Sequence, residues 1–74
     1  MVDEARSKEY KTGDVVDIYY DPTKETALEG RAMLVSKTES HISDGRIYQT
    51  WTIRFMDTDG ILSDTIDTRL LLIG

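Results

Sequence analysis

The stretch Arg46–Met56, Arg-Ile-Tyr-Gln-Thr-Trp-Thr-Ile-Arg-Phe-Met, constrains the fold more than any other part of the chain. Ile47, Trp51, Ile53 and Phe55 fall on one side of it, and Tyr48, Thr50, Thr52 and Arg54 on the other. Period 2 sustained over this length, with β-branched and aromatic residues on both sides, predicts a half-buried strand. The only Trp and the only Phe of the chain are here, so most of its aromatic core volume enters through this segment. At about 3.3 Å per residue it spans roughly 35 Å, more than a small domain is wide. It is therefore expected to bend and to serve two halves of one sheet.

The remaining apolar runs are shorter. Val15 to Tyr20 is strand by composition, with Val16, Ile18 and Tyr20 expected inside and Val15 and Tyr19 outside. Asp21-Pro22-Thr23-Lys24 has the chemistry of a type I turn, Asp first and Pro second. Arg31 to Lys37 is the next strand; Ala32 and Leu34 share one side, Met33 and Val35 the other, so part of its outer face is expected to be covered. Glu39 to Gly45 reads as a loop ending in Asp44-Gly45, a hairpin signal. Asp57-Thr58-Asp59-Gly60 is a second hairpin turn, with Gly supplying the positive φ. Ile61 to Ile66 is a fourth strand, and Leu70 to Ile73 a fifth. Five short strands joined by tight turns predict an all-β chain: a five-stranded antiparallel barrel over residues 13–74, behind a poorly ordered lead-in at 1–12.

With 74 residues there is room for one domain, and a domain this small is marginal in stability. The absence of Cys removes disulfides, thiolate metal sites and thiol catalysis. Nothing resembles a signal peptide or approaches the roughly 20 apolar residues of a membrane span, so a cytoplasmic protein with no membrane partner is expected. The net charge is −5; residues 1 to 12 balance, three of each sign, so six Lys or Arg face eleven Asp or Glu beyond them. Nucleic-acid affinity rests on clustered cations, so a nucleic-acid partner is disfavoured.

Gly13-Asp14-Val15-Val16-Asp17-Ile18, Leu28-Glu29-Gly30-Arg31-Ala32-Met33-Leu34-Val35 and Trp51 to Gly60 together resemble the SH3-like small β-barrels. The rhythm is nearest the Tudor and KOW-type branch, in which a Gly-Asp pair leads into strand one and a hydrophobic strand ends in an Asp-Gly turn. The likeness covers residues 13 to 72 at superfamily level. It implies the barrel fold and, by the Tudor analogy, an aromatic cage for methylated or other cationic ligands at Tyr20, Tyr48 and Phe55. Thr58 replaces the aromatic that often stands in the family's turn, which weakens the cation–π attraction of such a cage. The basic surface that KOW-type modules use on RNA is absent, and Asp21 to Glu29 has no aromatic for an SH3-type groove.

Catalytic readings do not survive the spacing. His41 is the sole histidine, and Ser40, Ser43 and Asp44 beside it in a hairpin loop are poorly placed to form a preorganised triad. An EF-hand with Gly60 at its sixth position puts Phe55 and Ile66 where ligands must stand. No catalytic residue, cofactor or metal is therefore assigned. The expected activity is protein binding by an adaptor, complex subunit or inhibitor. Its surface combines Tyr19, Tyr48 and Arg54 with the acidic turn at Asp57 and Asp59, and its partner is a protein, a basic one by charge complementarity. The run Leu70 to Ile73 carries no polar residue on either side. One alternate pair must face outward, and Leu71 with Ile73 is the pair assigned to self-association into a homo-oligomer or docking on another protein, since exposed apolar edges are usually covered; packing against residues 1 to 12 is the alternative.

Overall fold

The computed structural model describes residues 9–74 as four antiparallel strands in one curled half-barrel sheet, with no helix among the described residues. The strands are β1 (Val15–Tyr19), β2 (Leu28–Ser43), β3 (Arg46–Met56) and β4 (Asp67–Leu72), paired in the order β1-β2-β3-β4. Among the described residues no helix is long and apolar enough to cross a membrane.

The alternating segment is β3, paired along both edges at its middle: Ile53 lies between Leu34 of β2 and Asp67 of β4, and Trp51 between Lys37 and Arg69. The core forms on its odd-numbered side, from Ile18, Ala32, Leu34, Trp51, Ile53, Leu71 and Ile73, with Tyr10, Val16, Ile47 and Phe55 packed around them. The Trp51 indole N–H donates to Gln49 Oε1 (2.9 Å), so burying the ring strands no donor. The expected bend falls on the partner strand. β2 carries register shifts between Leu34 and Ser36 and between Lys37 and Glu39, and such bulges bend and twist a strand. At the second, the Thr38 hydroxyl donates to the Thr50 carbonyl (3.1 Å), tying the bulge to β3.

The structure departs from the sequence reading in several places. The segment expected as a loop from Glu39 to Gly45 is strand as far as Ser43, because Asp44 (φ 53°) and Gly45 (φ 74°) make a two-residue turn that extends the hairpin ladder to its tip. Among the described residues there are four strands and not five. Ile61 to Ile66 is no strand: Leu62 bridges Met56 and Ser63 N–H donates to the Phe55 carbonyl (2.7 Å), then residues 64–66 leave the ladder before Asp67 resumes it opposite Ile53. The expected fourth and fifth strands are thus one interrupted edge. Local hydrogen bonds cause the break, Thr65 N–H to Ser63 Oγ (3.0 Å) and Arg54 Nε to the Ser63 carbonyl (2.8 Å). Tyr20, expected inside, is 69% exposed, because a bulge at Ile18/Tyr19 ends the alternation and Tyr20 turns into the loop. Of the expected lead-in, residues 1–8 lie outside the described residues. Tyr10 packs on the core, and Lys11 N–H donates to Asp14 Oδ2 (2.8 Å), so structure begins ahead of Gly13.

Candidate binding surface

β3 presents its even-numbered residues to the outer face of the sheet, and there the sequence-derived surface splits into two places. Tyr48 and Arg54 do share that face. They are six residues apart, about 20 Å along the strand. Arg54 stands beside Met33 and ends on the Ser63 carbonyl, close to the Asp57–Gly60 turn. Tyr19 is on β1 opposite Leu28, toward the same end of the sheet. Tyr48 belongs to the other end, between His41 of β2 and Leu72 of β4, buried and with its ring stacked on His41 at 5.7 Å between centroids. The five residues assigned to one partner surface are therefore not brought together: Tyr19, Arg54, Asp57 and Asp59 mark one end, Tyr48 the other.

The first end has the more defined relief. Asp57 closes its turn through its own carboxylate, Oδ1 accepting from Asp59 N–H (2.9 Å) and Ile61 N–H (2.8 Å), while Gly60 N–H donates to the Asp57 carbonyl (3.0 Å). Gly60 (φ 84°) supplies the left-handed residue that this closure requires. Shallow open depressions flank the turn. One of about 450 Å³ is lined by Gly30, Arg31, Met56, Asp57, Thr58 and Gly60; another, of about 280 Å³, adds Phe55, Ile61 and Leu62, and the two share Met56 and Asp57. Asp57→Ala is expected to loosen this turn by about 1 kcal/mol, two hydrogen bonds to one carboxylate oxygen being lost at an exposed site, measured as a lowered urea midpoint.

Asp59 and Asp64 are exposed, whereas Asp67 is half-buried and acts on Arg69. Asp17 pairs across the sheet with Arg31 (3.4 Å). Among the described residues no three His, Asp or Glu side chains converge as a metal site requires. At the Pro22 turn, Asp21 accepts from Thr23 Oγ1 (2.7 Å) and Thr23 N–H (2.9 Å), and these bonds hold its carboxyl below its ordinary value.

The aromatic cage is corrected by the geometry. Tyr48 and Phe55 are seven residues apart on β3, which puts them on opposite faces of the sheet, Tyr48 beside His41 and Phe55 beside Ala32. Phe55 already holds a cation, for the Arg69 guanidinium lies 5.3 Å from its ring centroid. Gly30 is what lets that ring lie flat against β2: a Cβ there would stand 3.1 Å from Phe55 Cδ1. Arg69 in turn makes a two-point ion pair with Glu29, Nε to Oε1 at 2.9 Å and Nη2 to Oε2 at 2.6 Å. That bond holds the Glu29 carboxyl below its ordinary value and raises the Arg69 guanidinium above its own.

The self-association pair is corrected as well. Leu71 (7% exposed) and Ile73 (5%) are core residues, because the β4 register sets Leu71 opposite Gln49 on the inner side. The outward pair is Leu70 and Leu72. His41, assigned to a solvated loop, is instead a strand residue in a ring stack; counting back from the Asp44-Gly45 turn would have placed it opposite Tyr48. Comparison with protein-family models, curated proteins and solved structures gives no match for this chain.

Proposed function

We propose that this chain is a non-catalytic protein-binding module of the SH3-like small-barrel kind, which presents the Asp57–Gly60 turn and the adjoining outer sheet to a basic segment of a larger protein. The observation that carries this reading is the pair of depressions meeting at Met56 and Asp57 beside a turn closed by its own hydrogen bonds. A surface held in one shape before binding loses little freedom on binding. Its chemistry suits an extended basic partner. Met56 offers adaptable apolar contact, Asp59 offers an exposed carboxylate edge, and the chain's net charge of −5 steers cations toward it.

Titration with Lys- and Arg-rich peptides, followed by backbone amide shifts, is the test. The expected result is perturbation centred on Tyr19, Arg31, Met56 and Asp59, weakening as salt is added. Asp59→Lys is expected to lower the affinity about tenfold, the change a single interface charge reversal of roughly 1.4 kcal/mol produces. Shifts that fall elsewhere, or an affinity indifferent to Asp59→Lys, would reject the reading.

A further inference from the structure

We infer that two copies of this chain join edge to edge through β4, Leu70 of each pairing with Leu72 of the other about a two-fold axis at Leu71. The inference starts from the directions of backbone groups. Ile73 N–H donates to the Ile47 carbonyl (2.7 Å), and in an antiparallel ladder bonded residues alternate with residues that point away. Arg69 and Leu71 therefore bond to β3, and the N–H and C=O of Thr68, Leu70 and Leu72 point to the free edge. Among the described strands nothing pairs with that edge. The Thr68 carbonyl is capped by Arg69 Nη1 at 2.8 Å, so the residues with both backbone groups open are Leu70 and Leu72.

Two residues with outward groups, two positions apart, complement themselves. Placing Leu70 opposite Leu72 of the second copy satisfies all four donors and acceptors on each chain's open stretch, and the twofold repeats the bonds. The same register joins the outer faces. Leu72, beside Tyr48, meets Leu70 of the second copy, and Leu70, 37% exposed, meets Leu72 of the second copy. The apolar row His41–Tyr48–Leu72 thus continues into the other chain without a charged side chain at the junction.

The other edges of this sheet are guarded in the ways that block pairing, and this one is not. β1 is five residues long and brings Asp14 and Asp17 to its end and middle. The part of β2 beyond its pairing with β1 carries two bulges together with Lys37 and Glu39. Leu70 to Leu72 has no Pro, no charge and no register shift. The occupant is a second copy because the open stretch matches its own reverse, and because an uncharged junction is one place where two chains of −5 can approach.

So short a strand pair buries less than the roughly 1,200 Å² of a standard interface, so a dissociation constant of about 10–100 μM is expected. Sedimentation equilibrium on the full chain from about 1 μM to about 1 mM should show the mass rising toward twice the monomer. Added salt should strengthen the dimer by screening like charges, opposite in sign to its effect on basic peptides, so this inference and the turn surface fail separately. Leu70→Lys should weaken the dimer at least about tenfold, and Val15→Lys on the β1 edge should leave it unchanged. In the unmodified chain, the Leu70 and Leu72 amides should exchange more slowly as concentration rises, a readout that needs no variant to fold. A monomer at about 1 mM, a dimer indifferent to Leu70→Lys, or amide protection that does not change with concentration would overturn the inference.

Discussion

Replacing Ile53 with alanine is expected to leave the chain close to unfolded at room temperature. Ile53 is fully buried and lies between Leu34 and Asp67 on a strand bonded along both edges there, so the cavity opens where β2, β3 and β4 all meet. A fully buried Ile→Ala change costs about 2–5 kcal/mol. A domain of this size commands about 5 kcal/mol in all, so the loss takes most of the total. Thr52→Ala, one residue along on the outer face, removes the hydroxyl contact to Ser36 Oγ (2.8 Å) and should cost about 1 kcal/mol. Urea titration followed by Trp51 fluorescence compares the two. A loss below about 1 kcal/mol for Ile53→Ala would mean that the interior is not built on β3.

That interior was legible because Arg46–Met56 carries its period in residue types suited to a strand, and β3 has those bounds. β4 was not legible in the same way. Four apolar residues in a row have no alternation, so the run states that a strand is present without stating which side faces in. The inward side is chosen by pairing with β3, which sets Leu71 and Ile73 beneath the sheet. The break at residues 64–66 was hidden for another reason. Ile61 to Ile66 is apolar enough to be a strand, and what interrupts it is the capture of Ser63 by Arg54 and Thr65, a matter of side chains reaching backbone atoms.

The site was readable where a turn fixes a register and unreadable where the contact is long-range. With Asp44-Gly45 as a two-residue turn, Ser43 pairs with Arg46, Ile42 with Ile47 and His41 with Tyr48, so that ring stack follows from counting. The division of Tyr48 from Phe55 follows from counting too, since an odd separation along a strand changes faces. Nothing local links Glu29 to Arg69, forty positions apart, or sets Arg69 over Phe55. Those contacts arise because the sheet curls, bringing the start of β2 within reach of the inner side of β4.

The Glu29–Arg69 pair is the chain's largest expected source of acid sensitivity. The side chains are 18% and 33% exposed, so the pair lies between a buried one, whose breaking costs about 3–5 kcal/mol, and a surface one worth about 0–1. Glu29→Gln is therefore expected to cost about 2 kcal/mol at pH 7. The hydrogen bond from Arg69 holds the Glu29 carboxyl below its ordinary value. In the unfolded chain a glutamate titrates near about 4.3. The contribution is thus fully present above that value and is lost as pH falls through the lower value of the folded state. Urea unfolding of Glu29→Gln and of the unmodified chain should differ at pH 7 and draw together toward about pH 3. Arg69→Met keeps the stem over Phe55 and should show the same convergence, because it leaves Glu29 charged and half-buried at neutral pH and neutral in acid. The double variant should lose less than the two single losses combined, since each alone strands the other partner. A deficit of equal size at both pH values would place the effect in packing around Phe55, and the ion pair would then have no part in holding β4 to the start of β2.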